Sequence, residues 1–159
     1  MKRILLTCHG NICRSPMAEM ILKHLVRQRG LTDYVIDSAA VSREEIGNPV
    51  YPPARRELAA HGIRCEDHRA RQVTAAEYDE WDYFVCMDMS NVTRILRIFG
   101  HDNENKGHRL LDFTGRPVDV ADPWYSDRFD VAYADIMRGC KALIEYLEYE
   151  KGGQMISVR

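Results

Sequence analysis

The stretch LLTCHGNICRSPMAE, residues 5–19, decides the fold of this chain. Its apolar start predicts a buried strand over 3–7. Ser15 as N-cap and Pro16 at the first helical position predict a helix over 16–29. The short loop between these two elements has Cys8 at one end and Arg14 at the other. The stretch therefore places a thiol and a guanidinium together at the point where a strand turns into a helix.

The rest of the chain alternates in the same way. Further strands are predicted at 34–40, 83–88 and 108–113, and further helices at 52–62, at 90–100 and from near Arg128 to about Lys151. This alternation predicts one α/β domain, a three-layer sandwich in which helices flank a four-stranded parallel sheet. The domain is expected to span 1–151, with 152–159 as a flexible C-terminal tail. Because ligands of open α/β sheets bind at the carboxyl ends of the strands, the loop after the first strand is the expected site.

Composition excludes several classes of function. The chain has 159 residues, is 45% hydrophobic and carries a formal net charge of −2, so it lacks the basic surface expected of a protein that binds nucleic acid or an anionic membrane. No segment approaches the roughly 18 apolar residues of a membrane span, and the short apolar run near the N-terminus is not a signal peptide. The odd number of cysteines, 5, then favours reduced thiols and a cytoplasmic location. Neither Cys-x-x-Cys nor His-Glu-x-x-His occurs, so neither a metal nor another cofactor is expected.

The loop has the composition of a phosphate-binding loop. Consecutive backbone N–H groups from His9 to Arg14 can curl into a concave nest, with Gly10 expected to relieve the tightest bend. The N-terminal end of the following helix adds positive potential at the same place. Arg14 can grip two oxygens of a bound phosphate with its planar guanidinium.

The same electrostatic field favours the thiolate form of Cys8. A thiolate at the floor of a phosphate cradle is a nucleophile for phosphoryl transfer through a phosphocysteine, with the positive charge supplied by the loop and Arg14. The spacing by itself is weak evidence, because Cys8 could equally be a small core residue and Arg14 a surface charge. The strand before the loop, the glycine in it and the helix after it favour the phosphate cradle.

Several segments together resemble one protein family. CHGNICRSPMAE is similar to the signature loop of the low-molecular-weight protein tyrosine phosphatases, and further similar segments follow in the family's order: DSAAVS (37–42), IGNP (46–49), HRARQVT (68–74), CMDMSN (86–91) and DPWY (122–125). The resemblance implies hydrolysis of phosphotyrosine in proteins or peptides, and of other aryl phosphates, without a metal. Inorganic phosphate would then be both product and inhibitor.

The resemblance also implies roles for residues outside the loop. Asp122 would be the general acid and base, and Trp124 and Tyr125 would flank the cleft and hold the substrate ring. The Ser15 hydroxyl would donate to the Cys8 sulfur. Asn11, Ser38 and His68 would form a hydrogen-bond network that holds the conformation of the loop. Ile12 is one of the residues of that loop. Asp88 would steady Arg14 or the loop, although a helix cap is an alternative reading of that residue.

Two positions raise separate questions. In the resembling family a second cysteine at the place of Cys13 can form a reversible disulfide with the nucleophile, whereas simple packing is the alternative. Glu44 stands where that family often has a tryptophan or tyrosine, so the substrate wall and peptide preference are expected to differ here.

Three other functions stay open. An arsenate reductase of the same fold typically needs a closely spaced cysteine pair after the third strand, and Cys86 has no such companion before Cys140. A protein-arginine phosphatase of the same family would have a threonine at the position of Ile12. An inert phosphate-binding module would be expected to have lost Cys8 or Asp122, and both are present.

Overall fold

The computed structural model describes residues 1–150, over which strands and helices alternate as predicted. The strands are β1 (Lys2–Cys8), β2 (Tyr34–Ala40), β3 (Tyr83–Cys86) and β4 (Gly107–Arg109). The α-helices are α1 (Arg14–Gln28), α2 (Pro52–Ala60), α3 (Met89–Phe99), α4 (Pro123–Ser126) and α5 (Phe129–Glu145). Two 3₁₀ turns, Ala75–Asp79 and Leu110–Thr114, and a π-helical turn, Tyr146–Glu150, complete the described chain. The predicted tail, 152–159, lies outside the described residues.

The strands form one parallel sheet in the order β2-β1-β3-β4, which confirms the predicted fold class. β1 lies in the centre and pairs with β2 on one side and β3 on the other. Its apolar residues Ile4, Leu5 and Leu6 are fully buried because both sheet faces are covered. Strand order reverses beside β1, so its carboxyl end, at Cys8, is the switch point where α/β folds bind ligands.

Helices cover the sheet on both faces. On one face α1 and α5 build the larger core cluster, and the predicted apolar stripe of α1 is entirely buried: Ala18, Ile21, Leu22, Leu25 and Val26. On the other face α3 packs with the 3₁₀ turn Ala75–Asp79 against Leu5, Phe84 and Cys86 of the sheet. Within residues 1–150, no helix is long and apolar enough to cross a membrane.

The start of α1 differs from the prediction. The helix begins at Arg14, its N-cap position is Cys13, and no side chain caps it. Ser15 is therefore inside the first turn, and the prediction that it is the N-cap is wrong. Its hydroxyl bonds to Cys8 and Asn11 instead. Helix α1 thus begins two residues before its predicted start at Pro16, and the Ser15 side chain contacts the loop instead of capping the helix.

The predicted fourth strand, 108–113, is also partly wrong. β4 ends at Arg109, and the chain continues as the 3₁₀ turn Leu110–Thr114. A strand would direct Leu110 and Leu111 to opposite faces of the sheet. The turn instead buries both leucines in the same core cluster as α5. Burial thus overrides the extended conformation that the apolar run suggests.

Other boundaries shift by a few residues. β3 ends at Cys86 because Asp88 begins the next helix as its N-cap. Gly100, with φ of 81°, ends α3 as predicted. The last helix, predicted to reach about Lys151, changes at Tyr146 into the π-helical turn.

Candidate active site

The Cys8 sulfur is the centre of a set of hydrogen-bond donors. Cys8 is the last residue of β1 and is 3% exposed. The backbone N–H groups of Asn11 and Ser15 donate to its Sγ at 3.3 and 3.4 Å, and the Ser15 Oγ lies 3.0 Å away. Donors aimed at a sulfur stabilise its anionic form more than its neutral form. One of the six loop N–H groups expected to bind an anion, that of Asn11, therefore serves the sulfur.

Asn11 is the loop residue with a left-handed backbone conformation. Its φ of 62° is left-handed, and its side chain is fully buried. Gly10 has no positive φ, so the prediction that it relieves the tightest bend is wrong. A Cβ added at Gly10 would lie 3.2 Å from the Glu45 Cγ, so the glycine permits close approach of a neighbouring side chain. Asparagine is among the few residues that adopt the left-handed conformation readily.

The Asn11 side chain connects the loop to three other segments. Its Nδ2 donates to the Ser15 Oγ at 2.8 Å and to the Ser38 Oγ at 3.0 Å. Its Oδ1 lies 2.8 Å from the His68 Nε2 and accepts from the Arg71 backbone N–H at 3.3 Å. The structure therefore brings together the predicted supporting residues around one buried amide.

Sequence reasoning missed the next residue of this network, Glu19. It is 4% exposed and accepts from the Ser38 Oγ at 2.6 Å and from the Lys23 Nζ at 2.7 Å. His68 Nδ1 lies 3.6 Å from the same carboxylate. A signal was present in the sequence: Glu19 follows Ser15 by four positions and so shares its helix face, next to an apolar stripe.

Arg14 is held by acceptors on several sides. Its side chain is 3% exposed, and Nη1 donates to Asp88 Oδ2 at 2.9 Å and to the Val120 carbonyl at 2.8 Å. Nη2 lies 3.5 Å from Asp122 Oδ2. Burial disfavours the charged guanidinium, but the negative charges of Cys8, Asp122 and Asp88 outweigh it and raise the pKa of Arg14. Arg14 therefore stays cationic in a buried position beside Cys8.

Both aspartates of the predicted site have two contacts. Asp88 caps α3 by accepting from the Asn91 N–H at 2.8 Å, and its other oxygen binds Arg14. The Asp88 carboxylate therefore does both things that the sequence suggested as alternatives: it caps α3 and it contacts Arg14. Asp122 caps α4 by accepting from the Trp124 N–H at 3.0 Å through Oδ1, while Oδ2 faces Arg14. Capping fixes the orientation of each carboxylate.

One cleft opens above this centre. Its lining includes the loop and the predicted wall residues: Cys8, His9, Gly10, Ile12, Cys13, Arg14, Glu44, Glu45, Asp122, Trp124 and Tyr125. Trp124 and Tyr125 are 52% and 85% exposed, and adjoining exposed apolar side chains are typical of a surface that binds a ligand or a partner. Tyr51 supports this wall, since its ring centroid lies 5.0 Å from that of Trp124. Tyr51 was not predicted from the sequence.

The rim of the cleft also has charged side chains. Glu44, whose side chain is 67% exposed, contacts His9 Nε2, and Arg94 Nη1 lies 3.3 Å from His9 Nδ1. Glu45 lines the same rim. An acidic rim thus stands where the resembling family often has an aromatic residue. Neither Glu45 nor Arg94 was singled out from the sequence.

Cys13, at the end of the phosphate-binding loop, lies in the cleft lining as a free thiol. Burial, with the charge of Cys8 second, raises the pKa of Cys13 to about 12. Burial likewise raises the pKa of Cys86, which lies on the sheet and accepts from Thr7 Oγ1 at 3.0 Å, to about 12. These two thiols are protonated at neutral pH.

Within residues 1–150, one set of side chains has the spacing of metal ligands. It consists of Glu19, Asp37 and His68, whose ligand atoms lie within 4.8 Å of one another. Each already has a partner: Lys23 for Glu19, Arg71 for Asp37 and Asn11 for His68. A metal would have to displace these contacts, so the set is better explained as part of the loop support.

Comparison with known proteins agrees with this geometry. The family model of low molecular weight phosphotyrosine protein phosphatases matches residues 3–152. The chain belongs to this family. It is similar to the low molecular weight protein-tyrosine-phosphatase YfkJ of Bacillus subtilis, with 36% identity over 151 residues that cover 93% of this chain and 97% of YfkJ. The crystal structure of YfkJ matches with a TM-score of 0.91 over 95% of this chain and 97% of that one.

Other members of the phosphatase family match over nearly the same length. The rat low molecular weight phosphotyrosine protein phosphatase is 36% identical over 153 residues, which cover 91% of this chain and 94% of the rat protein. The crystal structure of DARP, a Drosophila arginine phosphatase, matches with 30% identity and a TM-score of 0.85 over 94% of this chain and 99% of that one. The family assignment thus rests on the whole domain.

Proposed function

We propose that this chain is a protein tyrosine phosphatase that hydrolyses phosphotyrosine and other aryl phosphates through a phosphocysteine on Cys8. The observation that carries the proposal is the arrangement around one cleft: a sulfur that receives several hydrogen bonds, a buried arginine, and Asp122 oriented beside that arginine. These are a nucleophile, an anion binder and a proton carrier within reach of one phosphate.

Arg14 binds the phosphate in this proposal. Asp88 and Val120 occupy Nη1, so the edge formed by Nε and Nη2 is the one available to two oxygens of the substrate. The backbone N–H groups of the loop, other than the one that serves the sulfur, complete the cradle for the remaining oxygen. Positive charge fixed around the phosphate stabilises the transition state without reorganisation.

The reaction has two steps. The Cys8 thiolate attacks phosphorus, the bond between phosphorus and the phenolic oxygen breaks, and protonated Asp122 donates its proton to the leaving phenolate. Water then attacks the phosphocysteine, Asp122 accepts the proton of that water, and the phosphorus–sulfur bond breaks. Inorganic phosphate leaves, and the Cys8 thiolate is regenerated with help from the Ser15 hydroxyl. Product phosphate binds the same cradle and is expected to inhibit.

The substrate ring is placed by the walls of the cleft. Trp124 and Tyr125 offer aromatic faces that can stack on a phenyl ring. Ile12 adds an apolar surface next to the loop. Phosphoserine lacks a ring for these walls and is shorter, so phosphotyrosine in proteins or peptides is the preferred substrate class.

Turnover measurements test the proposal. The wild-type chain is expected to hydrolyse p-nitrophenyl phosphate and a phosphotyrosine peptide equally well with and without a metal chelator. Cys8→Ser is expected to lose this activity, whereas Cys65→Ser, a control at a half-buried thiol, is expected to keep it. Rapid denaturation in alkali during turnover should trap a phosphoryl group on the peptide that contains Cys8. Activity retained by Cys8→Ser, or lost on addition of the chelator, would contradict the mechanism.

The same assay separates the rival substrates. Phosphoarginine belongs in the panel because one similar structure, DARP, is an arginine phosphatase, and arsenate because the reductases share the fold. Phosphotyrosine is expected to give the highest kcat/KM. Ile12→Thr should shift the ratio towards phosphoarginine if the identity of this residue decides between the two phosphatase activities.

A further inference from the structure

The segment that presents Asp122 is fixed at two neighbouring residues. It runs from the 3₁₀ turn Leu110–Thr114 to α4, and Asp119 and Val120 lie shortly before Asp122. Val120 donates its N–H to the Met87 carbonyl at 2.9 Å and accepts from Arg14 at 2.8 Å through its own carbonyl. These two bonds connect the segment to the end of the sheet and to the phosphate-binding arginine.

Asp119 adds a second attachment one residue earlier. Its Oδ1 accepts from the Met89 backbone N–H at 3.1 Å and from Arg109 Nη1 at 2.9 Å. Met89 is the first residue of α3, an 11-residue helix, so the carboxylate lies at the positive end of that helix. Both contacts are with elements of regular structure rather than with the segment itself.

Arg109 is itself held in place. It is the last residue of β4, and its Nε donates to Asp112 Oδ1 at 2.9 Å. The side chains of Arg109 and Asp112 are 13% and 8% exposed. Asp119 is 52% exposed. Because the guanidinium of Arg109 is already fixed, it loses little further freedom on binding Asp119, and less entropy opposes this bond than an ordinary surface ion pair.

We propose that Asp119 is a positioning residue that sets the distance between the Asp122 carboxyl group and the leaving-group oxygen. The inference rests on the proposed role of Asp122 as general acid. Only Val120 and Ala121 separate the two aspartates, so a shift at Asp119 reaches Asp122 with little chain to absorb it. Proton transfer depends steeply on the distance between heavy atoms, whereas phosphate binding depends on Arg14 and the loop.

Leaving-group dependence of kcat/KM is the measurement that detects this role. A substrate with a poor leaving group, phenyl phosphate, needs the proton from Asp122, and p-nitrophenyl phosphate needs it much less. Asp119→Ala is expected to lower kcat/KM for phenyl phosphate by about threefold to about a hundredfold, a part of what a misplaced catalytic group can cost. For p-nitrophenyl phosphate the loss should be several times smaller. Asp119→Asn, which keeps an oxygen for the Met89 N–H, should recover part of the activity.

A double-variant cycle tells a positioning role from a general loss of stability. If Asp119 acts through Asp122, then adding Asp119→Ala to Asp122→Asn should cause little further loss. Asp82→Ala is the matched control: Asp82 also accepts from one backbone N–H and one guanidinium, both of Arg3, near the opposite end of β1. The control should lower the unfolding temperature by a similar amount without changing the leaving-group dependence.

The outcomes separate the inference from the proposed function. An equal loss on both substrates, or losses that multiply in the double variant, would overturn the positioning role of Asp119 while Asp122→Asn still shows its own leaving-group dependence. If Asp122→Asn itself lacks that dependence, Asp122 is not the general acid, and both the proposed function of Asp122 and the inference fall. Asp119→Asn, measured below its unfolding temperature, provides the same test if Asp119→Ala does not fold.

Discussion

Ser15 Oγ lies 3.0 Å from Cys8 Sγ and 2.8 Å from Asn11 Nδ2, which donates to it. Since the amide of Asn11 supplies a hydrogen to the serine oxygen, the hydroxyl hydrogen of Ser15 is free to be donated to the sulfur. Ser15 and Cys8 belong to different elements, α1 and β1, and the loop between them is closed by this contact. The serine that looks like a helix cap in the sequence thus contacts the sulfur of the proposed nucleophile.

Ser15→Ala is expected to lower kcat by about tenfold to about a hundredfold, because a hydrogen bond to a charged group contributes about 1.5–3 kcal/mol. The thiolate would be less stabilised both as nucleophile and as leaving group. Inactivation by iodoacetate at mildly acidic pH, which requires the thiolate, should slow in parallel. Ser90→Ala, at an exposed position of α3, is the control. Unchanged alkylation by iodoacetate in Ser15→Ala would show that the hydroxyl only supports the fold.

The sequence predicts the fold well because hydrophobic periodicity and the ends of helices are local signals. The buried strand before Cys8 and the stripe of α1 follow directly from the spacing of apolar residues. The 3₁₀ turn Leu110–Thr114 does not, since an apolar run alone does not show that both leucines pack on one side of the sheet. Long-range packing against α5 decides that conformation.

The site is predictable where a motif defines a role and less so where contacts are distant in sequence. Arg14 and Asp122 can be named from their motifs, but their approach to 3.5 Å depends on the whole fold. Glu19 shares a helix face with Ser15 in the sequence, but its contacts with Ser38 and His68 depend on the whole fold. The left-handed conformation of Asn11 is equally invisible to periodicity.

Arg14→Lys is expected to fail despite keeping the charge. The guanidinium contacts Asp88 and Val120 while still presenting a planar edge to substrate, and a single ammonium cannot do both. We expect a loss in kcat/KM of at least about 10²-fold, comparable with removal of one electrostatic stabiliser. Inorganic phosphate should also inhibit more weakly. Arg138→Lys, at an ion pair of α5, is the control. Equal phosphate inhibition in wild type and Arg14→Lys would contradict the binding role.

Glu44 is expected to favour substrates with basic residues beside the phosphotyrosine. Glu44 and Glu45 together make this part of the rim acidic. Because the Glu44 side chain is 67% exposed, the effect should be small, about 1 kcal/mol or less, and weaker at high salt. Glu44→Gln should reduce the ratio of kcat/KM between matched lysine-flanked and glutamate-flanked peptides. Glu145→Gln, an exposed carboxylate of α5, should leave the ratio unchanged. A wild-type ratio that responds neither to salt nor to Glu44→Gln would refute this selectivity.

Reversible oxidation is the remaining role to test for Cys13. Peroxide converts the Cys8 thiolate to a sulfenic acid and releases hydroxide. The Cys13 thiolate can then attack that sulfur, so that the sulfur–oxygen bond breaks, a disulfide forms and a second hydroxide leaves. This closure protects Cys8 from further oxidation, and a thiol reductant restores the enzyme. It requires the Cα atoms of the two residues to come within about 7 Å of each other.

The raised pKa of Cys13 gives this switch a defined pH dependence. With a pKa of about 12, caused first by burial, Cys13 is almost entirely a thiol at neutral pH. Its thiolate fraction rises with pH up to that value, so disulfide closure should speed up by about tenfold per pH unit between roughly pH 6 and 9. Peptide mapping after brief peroxide treatment and an acid quench measures the Cys8–Cys13 linkage at each pH. Cys13→Ser should lose the linkage and recover less activity on reduction, whereas Cys65→Ser should behave like wild type. Closure that ignores pH, or equal recovery in Cys13→Ser, would mean that Cys13 only packs against the loop.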